Sequence, residues 1–150
     1  MAPSAFREVA AQAFVHATES EEAVARAILT LVPGARVERV ALGGHFGQAL
    51  HRLTARSSDR TCVNAAVEVL RRAAGPEIAS SATQRLSDAS VLHVRVDKQA
   101  AAQGQPRLAQ APAGDVVLLR FRLRAPRLAH EAAIEIVRGT FGGRTPPEEE

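Results

Sequence analysis

Residues 115–124 read Asp-Val-Val-Leu-Leu-Arg-Phe-Arg-Leu-Arg, and this stretch decides the fold. Val117, Leu119, Phe121 and Leu123 fall on one side of an extended chain, and Arg120, Arg122 and Arg124 on the other. A side-chain period of two is that of a strand with one buried and one solvated face. The same alternation runs through Val91–Asp97, where Leu92, Val94 and Val96 oppose His93, Arg95 and Asp97. It appears again in Arg7–Ala17, with Val9, Ala11, Ala13 and Val15 on one side. Strands that keep a polar face belong to a mostly antiparallel sheet whose helices lie on one side. The expected class is α+β: a two-layer α/β sandwich, with a mostly antiparallel sheet and helices on one face.

The remaining segments fit that plan. Thr18-Glu-Ser-Glu21 reads as a capping box, with Thr18 as N-cap and Glu21 at the third helical position. Val24, Ala27, Ile28, Leu31 and Val32 follow at helical spacing, and Pro33-Gly34 stops that helix. Arg36–Leu42 and Ala49–Arg56 read as strands joined into a hairpin through Gly43-Gly-His-Phe-Gly47. Ser57-Ser-Asp59 opens a longer helix through Ala74, ended by Gly75-Pro76, with a short helix from Glu77 to Leu86. A loop rich in Gln, Ala, Gly and Pro follows Asp97, and Arg127–Arg138 makes a final helix. One domain over residues 1–141 is expected, with a disordered acidic tail at 142–150.

Composition narrows the function classes. A 46% hydrophobic content supports one core, built from aliphatic residues and alanine because Trp and Tyr are absent and Phe numbers five. The single cysteine excludes an intrachain disulfide and a cysteine metal cage. Cys62 sits beside Val63, Ala66, Val67 and Leu70 and is expected in or near the core. No apolar run approaches a membrane span and no signal-peptide pattern opens the chain, so a cytoplasmic protein without membrane association is expected. Setting aside Arg144 and Glu148–Glu150 leaves 18 basic and 13 acidic side chains. All but one of the basic residues are arginine, the exception being Lys98.

The distribution of charge says more than its sum. Arg120, Arg122 and Arg124 stand roughly 6.6–6.8 Å apart along one strand face. Such a row repels itself unless it is solvated or matched by anions, and arginine binds phosphate bidentately. Arg52 and Arg56 lie on the polar side of another strand. The alternative is an edge strand whose solvated charges resist aggregation. His16, His45, His51, His93 and His130 show no metal-ligand spacing. His16, just before a helix, and His45, between glycines, are placed to reach an anion held by backbone N–H groups. Gly43-Gly-His-Phe-Gly47 lacks the Lys-Ser/Thr of a nucleotide-hydrolysing loop, and no nucleophile motif is present. No enzyme activity, metal or cofactor is expected. Aromatic platforms for stacking bases are also scarce: Phe14, Phe46 and Phe121 are the candidates, and Phe121 falls on an apolar face.

Three segments taken together carry a family likeness. They are Phe14-Val-His-Ala-Thr-Glu19, Gly44-His-Phe-Gly47 and His93-Val-Arg-Val-Asp-Lys-Gln-Ala-Ala-Ala-Gln-Gly104. In this order and spacing the chain resembles the small archaeal RNA-binding proteins described as predicted exosome subunits, over roughly residues 9–140. The resemblance implies an α/β RNA-binding fold compared with double-stranded-RNA-binding domains or ribosomal protein L5, with no catalysis and no cofactor. It carries over His16, Glu19, Gly44, His45, Gly47, Asp97, Lys98, Gln99 and Gly104. Phe46 stands where such proteins often have tyrosine, Gln48 replaces Asn or Asp, and Ala100–Ala102 is blander than aromatic-containing versions.

The Asp97-Lys98-Gln99 corner has two readings from its chemistry: a loop held by hydrogen bonds, or Lys98 presented to phosphate with Asp97 orienting it. The expected RNA contacts are Lys98, Gln99, Arg95, Arg120, Arg122, Arg124, His45, Gly44 and His16. The expected partners are RNA and subunits of an RNA-degrading complex. The alternatives are a protein-interaction module docking on a larger RNA-processing assembly and, third, a small metal-dependent hydrolase. The sequence carries no signature of oligomeric state.

Overall fold

Every period-two segment becomes a strand, and the strands pair antiparallel throughout. The computed structural model describes residues 5–42, 49–87, 90–110, 115–124 and 129–142. In chain order the elements are β1 (Phe6–His16), α1 (Glu21–Leu31), β2 (Val37–Ala41), β3 (Ala49–Ser57) and α2 (Arg60–Ser80). There follow α3 (Ala82–Arg85), β4 (Val91–Asp97), α4 (Lys98–Ala102), β5 (Val116–Leu123) and α5 (His130–Phe141). The sheet order is β2-β3-β1-β5-β4. The expected two-layer α+β architecture is the one observed, and β2 and β3 do pair as a hairpin. Gly43–Gly47 lies outside the described residues, as does the acidic tail beyond residue 142.

One face of the sheet is apolar because the alternation makes it so. Val9, Ala11, Ala13, Leu53, Ala55, Leu92, Val94, Val96, Val117, Leu119, Phe121 and Leu123 are all buried there. The alanines in β1 and β3 leave room for α1 and α2 to approach closely. Val24, Ala27, Ile28 and Leu31 of α1 and Val63, Ala66, Val67 and Leu70 of α2 supply the opposing apolar stripes. Phe6, Phe121 and Phe141 close one end as an aromatic cluster, with ring centroids 5.4–6.4 Å apart. Cys62 is buried as expected, with its thiol on the Pro33 carbonyl. Among the described residues no helix is long and apolar enough to cross a membrane.

Several expectations are corrected in detail. The N-cap of α1 is Ser20, whose hydroxyl accepts from the Ala23 N–H, and not Thr18. Glu19 is withdrawn from the helix because its carboxylate accepts from the His16 N–H and from Lys98. The helical path does break where Gly75-Pro76 is expected to end it: Ala74 is non-helical (φ −156°, ψ 30°), and a second helical stretch runs on from the kink to Ser80. A proline is tolerated there because the kink makes it part of a new first turn, where no intrahelical N–H is required. Gly75 serves a different purpose, since a Cβ at that position would collide with the Phe141 carbonyl of α5. The segment after Asp97 is helical before it becomes a loop: Asp97 caps α4 by accepting from the Ala100 N–H. Gly104 has the positive φ expected of it, +81°.

Candidate functional site

The helix-free face of the sheet is built by the other half of the same alternation. Register across the strands aligns its residues in rows. Arg56, Ala10, Arg120 and His93 form one row across β3, β1, β5 and β4. Thr54, Gln12, Leu118 and Arg95 form the next, with Glu38 of β2 beside Thr54. Glu8 and Arg122 are partners in a third, and Arg52 faces Phe14 further along. An open trough of about 620 Å³ runs along this face, lined by Arg36, Arg52, Arg56, Arg120, Glu8 and Glu38 among others. Its floor dips where β1 crosses the middle, because Ala10 and Gln12 are small or slender there.

Charge on this face is uneven in a useful way. Glu8 accepts from Arg122 (3.3 Å) and is ion-paired with Arg56 (3.5 Å), so those two guanidiniums share one carboxylate. The side chains of Arg36, Arg95 and Arg120 make no ion pair or hydrogen bond among the described residues, and the Arg52 Nε is buried with no hydrogen-bond partner. Burial, and after it the charges of Arg120 and Arg95, holds the His93 imidazole below its ordinary value. A neutral histidine therefore sits within a cationic field.

The strand carrying the arginine row lies inside the sheet, between β1 and β4. The edge-strand alternative is thereby removed. The structure brings Arg95, Arg120 and Arg122 together on the open face, and adds Arg52, Arg56 and Arg36. Arg36, which opens the segment read as the second strand, lies just before β2 and is not among the expected contacts. Arg124 is exposed just past β5, with its backbone N–H on the Ala5 carbonyl. Gly44 and His45 lie outside the described residues.

Lys98 is the clearest departure. Instead of facing phosphate it is buried, with its side chain 3% exposed. Its ammonium donates to the Phe14 carbonyl, Glu19 Oε1 and Asp115 Oδ1, each at 2.8 Å. Of the two readings left open for this corner, the internal brace is the one formed. Gln99 belongs to the same brace through Asp115 Oδ2 (3.2 Å), and His16 through its backbone N–H on Glu19. The brace ties the end of β1, the start of α1 and the junction of β4 with β5. Burial pushes the Asp115 carboxyl up, but hydrogen bonds from Lys98 and Gln99 outweigh it and hold the group below its ordinary value. His16, Glu19 and Asp115 also bring ligand-capable atoms within 4.8 Å of one another. The Lys98 ammonium already supplies the cation at that place.

Residues 8–123, which contain the whole sheet but for its first two residues, match a protein family described as RNA binding. The chain belongs to this family. An RNA-binding protein of Pyrococcus abyssi is 26% identical over 140 residues, covering 87% of this chain and 90% of that protein. Among solved structures, a DUF54 protein of Archaeoglobus fulgidus is 29% identical with a TM-score of 0.77, covering 90% of this chain and 99% of that one. A DUF54 protein of Methanothermobacter thermautotrophicus is 25% identical with a TM-score of 0.79, at 91% and 98% coverage. This RNA-binding-family chain thus shares its architecture with archaeal proteins along nearly all of their length.

Proposed function

We propose that the protein binds RNA through the helix-free face of its sheet, holding phosphates with arginine and performing no chemistry on them. One observation carries this reading: Arg36, Arg52, Arg56, Arg95, Arg120 and Arg122 gather on or beside one open face against Glu8, Glu38 and Asp97. A polyanion fits such a track, and arginine's fork suits phosphate oxygens. Aromatic side chains for base stacking are few on the described part of the face: Phe6, Phe121 and Phe141 are committed to the core, and Phe14, half-buried beside Arg52, is the one phenyl ring among the described residues that lies on it. Backbone and shape are therefore the features read, not base identity. The test is binding of an RNA hairpin and of a second hairpin with the same secondary structure and a different sequence. Equal affinities with steep salt dependence support the reading, and strong preference for one sequence opposes it.

The cellular role suggested by the likeness of the three sequence motifs is accessory to RNA processing or degradation, beside an exosome-like assembly in the cytoplasm. Co-purification of such subunits that survives nuclease treatment supports direct docking. Loss of the partners on nuclease treatment shows bridging by RNA.

A further inference from the structure

We propose that Arg120 and His93, flanked by Arg122 and Arg56, form the seat of a single phosphate group. The proposal rests on the RNA reading and narrows it to one position on the face. Arg120 and His93 are direct partners across β4 and β5, which puts their Cβ atoms about 4.5–5.5 Å apart. Arg122 lies two residues along the same strand face, at roughly 6.6–6.8 Å. Arg56 approaches from β3 across Ala10, whose methyl leaves the floor between them open. The resulting hollow of about 210 Å³ is lined by Glu8, Arg56, Ser87, His93, Arg120 and Arg122. That is below the roughly 300–1,000 Å³ of an ordinary small-molecule site, and it suits one oxyanion.

The hollow already holds an anion on one side. The Glu8 carboxylate lies against Arg56 Nε and Arg122 Nε, while the side chains of Arg120 and His93 make no ion pair or hydrogen bond among the described residues. A phosphate placed over Arg120 and His93 completes the pattern that Glu8 begins. The charged groups around His93 are Arg120 and Arg122 from β5, Arg95 from β4 itself, Glu8 from β1 and Arg56 from β3. Arg85 of α3 lies close enough to Arg95 to feel its charge. Cations dominate this set, so the free imidazole stays neutral to lower pH than usual. A bound phosphate offsets the guanidiniums and favours the imidazolium, so binding takes up a proton. Affinity then rises as pH falls between the free and bound pKa values, by up to about tenfold for each unit separating them.

The probe is sodium sulfate, whose charge is constant across the titration, with sodium chloride at matched ionic strength as reference. The His93 imidazole is followed by NMR on the full chain, with its signals assigned through H93Q. Sulfate should raise the His93 pKa by about half a unit or more in the wild type. The response should be lost in R120Q and kept in R120K, which preserves the charge. Identical titrations in sulfate and chloride, or an equal response in R120Q, overturn the seat. An RNA oligonucleotide with a 5′-phosphate and the same oligonucleotide with a 5′-hydroxyl then identify the source. Equal affinity assigns a backbone phosphodiester, and preference for the first assigns the terminal group. RNA binding without a His93 response removes the seat and leaves the RNA reading standing; a sulfate response without RNA binding does the reverse.

Discussion

Replacing Lys98 with methionine should unfold the protein more easily and leave the salt dependence of its RNA binding unchanged. The ammonium is buried and meets three acceptors at 2.8 Å, the Phe14 carbonyl, Glu19 and Asp115. Methionine fills the space of the stem but leaves two carboxylates near one another with no cation. Breaking a buried ion pair by removing one partner costs about 3–5 kcal/mol. Asp115 is half-exposed and partly solvated, whereas Glu19 is 17% exposed, which places the loss near the low end, about 3 kcal/mol. For a chain of this size that lowers the melting temperature by roughly 6–12 °C. Urea unfolding and thermal melts, followed by circular dichroism at pH 7, give the numbers. The second change E19Q removes the more buried orphaned charge and should recover part of the loss.

The pH dependence has a definite sign. Asp115 titrates below its unfolded value, so its share of stability is present above about pH 4 and is lost as pH falls through the folded value. K98M should flatten that acid limb. The reasoning is refuted if K98M melts with the wild type while its RNA affinity falls, because Lys98 would then be a surface contact and not a brace.

Three further outcomes follow from named contacts. E8Q releases Arg56 and Arg122 and should steepen the slope of log K against log salt by up to about 0.9, measured by fluorescence anisotropy with duplex RNA. G75A drives a methyl into the Phe141 carbonyl and should cost about 1–3 kcal/mol in urea unfolding, whereas an ordinary helical glycine would gain from the same change. S20A should cost about 1 kcal/mol and T18A almost nothing in the same assay, since the Ser20 hydroxyl caps α1.

What the sequence disclosed follows the range of the forces involved. Alternation in 91–97 and 115–124 is local, so the strands, their buried faces and the helix-covered layer were legible. The cap of α1 was misplaced by two residues because Thr18-Glu-Ser-Glu21 offers two hydroxyls, and the choice depends on Glu19 being drawn to His16 and Lys98. Gly75-Pro76 does mark the break between two helical stretches, but the glycine also answers the approach of α5, some 66 residues later in the chain, which its own neighbours do not reveal. Lys98 deceived for the same reason: Glu19 and Asp115 lie 79 and 17 residues away, and neither is visible from the corner's own residues. The arginine face was half legible. The rows on each strand could be read, but sheet order decides that Arg56 and Arg120 share a row and that Glu8 ties Arg56 to Arg122.

The central claim is that unpaired guanidiniums on one sheet face hold a phosphate backbone, and salt tests it most directly. If Arg36, Arg52, Arg95 and Arg120 each neutralise one phosphate of an RNA duplex, the slope is about −3.6, and raising salt from 50 to 200 mM weakens binding about 150-fold. The double change R95Q/R120Q should halve that slope, leaving a loss of about 12-fold. Equal slopes for the two proteins, or a wild-type affinity indifferent to salt, would contradict the account.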